Sequence, residues 1–425
     1  MRGGARLKRA WRRLPEGVRR RFWLSLAALR RATLPVRLAL VWRRGRAPAG
    51  ARAGIVVAGL LRDTRGVAQA ARLFADAAQA QGLQVSRLDV GPALGMAPVL
   101  APLAASPQAP AAATLVTCLN PPELVRWLDA GGARALRGRR HVGYWAWELP
   151  EAPPSWARAL RYVDEVWCHS EFAAGAFRKL ARGATPVHVV APPMFMTPPA
   201  APDRARFGLP PHACVVLAAM DLRSSAERKN PQGALAAYVR AQPAPDPAAA
   251  ILVCKLSGAA SDTEAAEAVR RAAAERPDIR LVTELLGDAE MASLVATADV
   301  VVSLHRAEGF GLLPAEAAWR GVAVVTTGWS APAEFLAPSG AALVGWTPSP
   351  VRDAQGLYGG DDAPETVWAE PDIAEAADRL RELIASPELR ALMGGRAAAH
   401  ARSTFSRDAW EARLRARLER TGAAA

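Results

Sequence analysis

Short apolar runs bounded by glycine or turn residues alternate with helical patterns along this chain, and the series runs twice. The first series opens at Ala53-Gly54-Ile55-Val56-Val57-Ala58-Gly59-Leu60, the pattern of a strand buried on both faces. A loop at residues 61–65 leads to Gly66 and a helical pattern over residues 67–81, and Gly82 suits the position after a helix end. Strand candidates follow at residues 85–90, 114–119, 141–145, 165–168 and 187–190. Ala191-Pro192-Pro193 and the Pro-rich run to Pro202 read as a linker. The second series has strand candidates at residues 214–220, 250–254, 279–283, 300–303, 322–327 and 341–344. Its helices are expected at 234–240, 263–275, 289–296 and 375–384, with a long loop at 346–370 and a closing helix at 407–420. This alternation predicts an α/β chain of two doubly wound domains facing a central cleft. The expected division is a basic extension over 1–50, domains over 51–195 and 196–405, and a C-terminal helix over 406–425. Ligands of such sheets bind beyond the carboxyl ends of the strands.

The net charge of +14 invites a nucleic-acid reading until it is located. Residues 1–46 hold fifteen of the 54 basic side chains and one acid, Glu16, so the rest of the chain is neutral. A nucleic-acid-binding domain usually carries its charge on the folded body, so no nucleic-acid partner is expected. The arm interleaves arginines with Trp11, Phe22, Trp23, Leu29, Leu34, Leu38 and Trp42. It is too charged to span a bilayer and lacks the long apolar core of a signal peptide. The pattern suits a helix lying on an anionic membrane surface; a loosely packed basic tail is the plainer alternative. The membrane reading places the protein in the cytoplasm, at the inner face of the membrane. Cys118, Cys168, Cys214 and Cys254 are widely spaced and form no C-x-x-C pair, which fits buried free thiols and no metal site.

The densest chemistry follows the strand candidate at 300–303. His305-Arg306-Ala307-Glu308-Gly309-Phe310-Gly311 runs through Leu312, Leu313 and Pro314 to Glu316. Pro314 suits a helix start, which would put Glu316 in the first turn. The glycines allow backbone N–H groups to approach a ligand, and two carboxylates flank the loop. A glycine-rich turn with two surface glutamates is the bland alternative. Earlier, Asp221-Leu222-Arg223-Ser224-Ser225-Ala226-Glu227-Arg228-Lys229-Asn230-Pro231 follows the first strand of the second half. Cations are unfavourable at a helix N-terminus, so Arg228 and Lys229, placed at one, lean towards function. No Asp-x-Asp that could clamp a metal occurs in the chain. Lys255 follows the strand candidate at 250–254 and so points to the cleft edge, or else snorkels at the surface.

With Glu308, seven residues and Glu316 in the second domain, the sequence resembles the retaining glycosyltransferases of family 4, of bacterial polysaccharide-assembly type, which have the GT-B fold. The resemblance implies that Glu308 lies against the transferred sugar and that Glu316 binds the nucleotide ribose. It implies that Arg228 and Lys229 grip the donor diphosphate, with Arg223, Lys255, Gly309, Phe310, Gly311 and Leu312 around the donor and Gly66 in a loop near the diphosphate. The run Gly143-Tyr144-Trp145-Ala146-Trp147-Glu148-Leu149-Pro150 and the later Asp164-Glu165-Val166-Trp167-Cys168-His169-Ser170 are similar to a subset of that family. Indole faces stack on sugar rings, which makes Glu148 the candidate acceptor-side acid or base; core tryptophans beside a capping Glu are the alternative. Many relatives place a histidine here, where this chain has Trp and Glu. Thr327-Gly328-Trp329-Ser330 is expected near the nucleotide, and Trp368-Ala369-Glu370-Pro371 matches the subset without a chemical reason. The implied reaction moves a sugar with retention from a nucleotide-diphosphate donor, UDP- or GDP-linked, to a glycan or lipid-linked hydroxyl in polysaccharide biosynthesis. It needs neither metal nor cofactor. The rival is a GT-B scaffold at the membrane surface that has lost catalysis.

Overall fold

The computed structural model of the chain describes residues 54–103, 113–260, 263–358 and 366–419, together with 32–40, 42 and the single positions 18, 25 and 29. Two six-stranded sheets form where the apolar runs lie. The first holds β1 (Ile55–Gly59), β2 (Val85–Asp89), β3 (Thr114–Cys118), β4 (His141–Trp145), β5 (Glu165–Cys168) and β6 (Val187–Val189), in the order β2-β1-β3-β4-β5-β6. The second holds β7 (Cys214–Asp221), β8 (Ala250–Ser257), β9 (Ile279–Val282), β10 (Val300–Ser303), β11 (Ala323–Thr327) and β12 (Ala342–Val344), in the order β12-β11-β10-β7-β8-β9. Every neighbouring pair in both sheets is parallel. Parallel strands covered by helices are buried on both faces, and β1, β3, β4 and β11 are buried at every position.

Among the described residues from 54 onwards, the α-helices are α1 (Gly66–Ala80), α2 (Pro121–Asp129), α3 (Glu171–Ala181), α4 (Ala226–Lys229), α5 (Pro231–Ala241), α6 (Thr263–Glu275), α7 (Asp288–Thr297), α8 (Leu312–Arg320), α9 (Ser330–Leu336), α10 (Ile373–Ala385), α11 (Pro387–Thr404) and α12 (Arg407–Glu419). Strand order reverses between β1 and β3 in the first sheet and between β7 and β10 in the second. Crevices open at such points, and each sheet turns its own towards the other domain.

Three expectations are corrected. Residues 346–370 are not one long loop: β13 (Trp346–Pro350) and β14 (Val367–Pro371) pair antiparallel at its ends, with Trp346 opposite Pro371. Two prolines masked the strand signal, since proline cannot donate to a ladder. The 18-residue α11 was not foreseen, because its Ala- and Gly-rich sequence carries no apolar stripe. Pro314 is the third residue of α8 rather than its first, so Glu316 lies beyond the first turn.

Both ends of the described chain dock on the first domain. From α12, Trp410, Leu414 and Leu418 pack with Ile55, Val57 and Phe74, and Trp410 Nε1 donates to the Ala191 carbonyl at 3.0 Å. Residues 32–39 are helical. Leu34, Leu38 and Trp42 are buried in the first domain's core, and Arg37 pairs with Asp129 at 2.5 Å. Leu29, Val36 and Leu40 stand exposed. The rest of the basic arm lies outside the described residues, and among those described no helix is long and apolar enough to cross a membrane. Leu38→Ala should therefore lower stability by about 2–5 kcal/mol, the usual cost of emptying a buried leucine site. Urea titration checks this, and an unchanged midpoint would mean that the segment adds nothing to the core.

Candidate active site

Between the domains lies a cavity of about 540 Å³. Loops after β1, β3 and β4 line one wall; loops after β7 and β10, with the β13–β14 loop, line the other. The domains meet around it. Ser170 Oγ donates to the Gly309 carbonyl at 2.6 Å, Arg72 forks onto Asp288 at 2.8–2.9 Å, and Arg223 donates to Thr64 Oγ1 at 2.8 Å. Gly309 faces the Trp147 backbone so closely that a Cβ would lie 2.7 Å from the Trp147 carbonyl oxygen. Gly311 has φ +83°, a conformation glycine adopts without strain.

The second-domain wall gathers the cations. A single turn, α4, is capped by Ser225 Oγ, which accepts from the Arg228 N–H. Arg228 and Lys229 thus close this turn instead of opening a helix, so the argument from an unfavourable N-terminal position is corrected. Asn230, at φ +54°, then redirects the chain into α5. Arg228 is 2% exposed and donates to the carbonyls of Ala307 at 2.7 Å and Ser224 at 2.9 Å. Its guanidinium lies 3.3 Å from Glu308 and 4.0 Å from Glu148. Lys229 Nζ donates to Glu308 Oε1. Burial alone would raise the Glu308 carboxyl, but Lys229 and Arg228 outweigh it and hold the group down at about 2. Burial likewise opposes the Arg228 charge, and Tyr358, Glu308 and Glu148 more than restore it.

The other predicted residues divide by position. Gly66, Lys255, Gly309, Phe310, Gly311, Leu312, Glu148, Arg228, Lys229 and Glu308 all line the cavity. Lys255 is 4% exposed, within β8, not a surface lysine. It donates to Ser257 Oγ at 3.1 Å, and its burial lowers its pKa against the pull of Asp221. Phe310 turns its ring into the core, 5.4 Å from Phe335 and 5.6 Å from Phe405. Glu316 is 5% exposed, paired with Arg320 at 2.9 Å and outside the cavity lining. Burial raises its carboxyl, with Arg320 opposing. Arg223 forks onto Asp221 and lies 3.4 Å from Asp63.

Two segments gain a physical account. Ser330 does not line the cavity; its Oγ accepts the Glu308 N–H at 2.9 Å and fixes the motif backbone. Glu370 pairs with Arg306 through two bonds of 2.6 and 2.9 Å, tying β14 to the motif loop. Tyr358 was missed. It reaches over from the β13–β14 loop, sets its ring 5.8 Å from the Arg228 guanidinium and donates to Glu148 Oε2 at 3.0 Å. No short-range pattern in a Gly- and Asp-rich stretch could have pointed to it. Among the described residues no cluster of His, Cys, Asp and Glu could hold a metal ion.

Two parallel doubly wound domains with a cationic cleft between them define the GT-B class. The sequence model of family 4 glycosyltransferases in conflict systems matches residues 171–407, more than half of the chain, and the chain belongs to this glycosyltransferase family. No curated protein matches the sequence. Among solved structures, sucrose-phosphate synthase from Thermosynechococcus elongatus is similar at a TM-score of 0.62 and 14% identity, over 88% of this chain and 100% of that one. HepE from Anabaena, in complex with UDP and glucose, is similar at 0.54 and 15%, over 86% and 99%. A point mutant of TarM from S. aureus, in complex with Fondaparinux, alpha-GlcNAc-glycerol and UDP, is similar at 0.51 and 11%, over 73% of this chain and 56% of that one. At these identities the likeness is one of fold.

Proposed function

We propose that this glycosyltransferase moves a sugar from a nucleotide-diphosphate donor, with retention, to a hydroxyl of a glycan or lipid-linked acceptor in polysaccharide assembly. The observation that carries the reading is the convergence of Arg228 and Lys229 on Glu308 at the strand-order reversal of the second sheet. A leaving nucleoside diphosphate gains negative charge as its bond to the sugar lengthens, and fixed cations stabilise that charge without reorganising. Glu308, kept ionised by the same cations, orients the sugar hydroxyls. The leaving phosphate oxygen takes the acceptor's proton on the same face of the sugar. No metal or cofactor enters this scheme, in which the nucleotide sugar is a substrate. HepE is similar in fold and binds UDP and glucose, which supports a UDP-sugar as the first donor to try. The basic arm over 1–46, with exposed Leu29, Val36 and Leu40 at its docked end, suits an anionic membrane surface at the cytoplasmic face.

Incubation with a panel of UDP- and GDP-sugars, followed by mass spectrometry, should show release of UDP or GDP from one donor and one added sugar on the acceptor. Anomeric configuration read by NMR should match that of the donor. An inverted product would overturn retention, and intact donors across the panel would favour the inactive scaffold.

A further inference from the structure

Tyr358 stands between the cations of the second domain and an acid of the first. Its loop is tied to α4, the turn that carries Arg228 and Lys229. The Ala354 N–H donates to Glu227 Oε1 at 3.1 Å, Gln355 Nε2 donates to the Leu222 carbonyl at 2.8 Å, and Gln355 Oε1 accepts the Ser225 N–H at 3.2 Å. Asp353 Oδ2 accepts the Tyr358 N–H at 2.8 Å. Trp147 and Trp368 pack around the tyrosine ring, with centroids 5.3 and 6.3 Å away, and the residue is 8% exposed. Tyr358 is thus held in register with α4, while its hydroxyl reaches Glu148 on the opposite wall.

Charge explains what this contact does. Glu308 and Glu148 both face Arg228, and Glu308 also takes Lys229. A diphosphate entering the cleft competes with these carboxylates for the same two cations. Glu148 stands off: its Oε1 lies 4.0 Å from Arg228 Nη2, beyond the roughly 2.7–2.9 Å of a charge-assisted hydrogen bond. Its other oxygen, Oε2, accepts from the Tyr358 hydroxyl at 3.0 Å, the one hydrogen bond of the Glu148 side chain among the described residues. Freed from that bond, the carboxylate has a guanidinium beside it, and at 2% exposure Arg228 has little water to weaken the pairing. The Tyr358 ring face, 5.8 Å from Arg228 Cζ, attracts the same cation without a formal charge and so does not neutralise it.

Resting on the donor assignment above, we infer that Tyr358 is a positioning residue that holds Glu148 off Arg228, so that the two cations face one carboxylate rather than two when the donor diphosphate arrives. It acts through Glu148, by keeping hold of one carboxylate oxygen.

Titration calorimetry of the full chain with UDP and with GDP tests this. Tyr358→Phe keeps the ring over Arg228 and removes only the hydroxyl. Its affinity for the nucleotide that the parent binds should fall about tenfold, the scale of one hydrogen bond to a charged group. Glu148→Gln removes the competing charge and should bind that nucleotide at least as tightly as the parent. The double variant should bind within about twofold of Glu148→Gln, because without the carboxylate the hydroxyl has nothing to hold back. A tyrosine that merely supported its loop would give no such rescue. Unchanged affinity in Tyr358→Phe, weaker binding by Glu148→Gln alone, or a double variant as weak as Tyr358→Phe would overturn the inference. Failure of the donor reading shows differently: the parent itself then binds neither UDP nor GDP.

Discussion

Lys229→Ala is expected to lower kcat for sugar transfer by about 10²–10³-fold, the usual cost of removing one preorganised group that stabilises developing negative charge. The residue suits such a test. Its side chain is 22% exposed, whereas that of Arg228 is 2% exposed and bonded to two backbone carbonyls. Losing Lys229 should therefore leave the fold intact, with Arg228 still 3.3 Å from Glu308. Glu308→Gln keeps the shape and removes the charge; transfer should again fall by at least two orders of magnitude. The double variant should lose much less than the sum, because the two side chains act as one unit. Donor affinity separates the roles: Lys229→Ala should weaken UDP binding by calorimetry, whereas Glu308→Gln should alter sugar transfer more than UDP binding. Full transfer by Lys229→Ala would sink the assignment of the diphosphate site.

The sheets were legible because parallel strands buried on both faces read as unbroken apolar runs. Val300–Ser303 and Ala323–Thr327 appear in the structure within a residue of where the runs lie. The motif loop was legible because glycine and charge cluster there for local reasons. What failed was long-range. The reach of Tyr358 to Glu148 spans 210 positions and depends on a loop anchored elsewhere, with Gln355 bonded to Ser225 and Leu222. Glu370 reads as one surface acid among many until Arg306 is found beside it. The partner of Glu316 was visible four positions on, as Arg320, yet the spacing rule alone could not say that this pair would be 6–10% exposed and clear of the cavity.

Acid should unfold this protein earlier than its ion pairs suggest. His141, His169 and His305 are all at most 6% exposed, and burial holds each down at about 4. The surroundings differ: His141 contacts Thr117 Oγ1 and the Tyr162 carbonyl, His169 meets the edge of Tyr144, and His305 contacts Thr326 Oγ1. In the unfolded chain a histidine takes up its proton near pH 6.5. Between that pH and about 4 the unfolded state binds protons that the folded state refuses. Stability is therefore complete above pH 6.5 and falls as the pH descends, by about 1.4 kcal/mol per pH unit for each histidine fully engaged. Glu308 acts in a lower window, because its contribution is present above its ordinary value of 4.5 and is lost as the pH falls towards about 2. Urea midpoints at pH 7.5, 6.0 and 5.0 should drop steeply between the last two. His169→Gln should remove about one proton from the pH slope even if its own stability at neutral pH changes. A flat profile from pH 7.5 to 5.0 would mean that these imidazoles reach solvent or a partner when protonated.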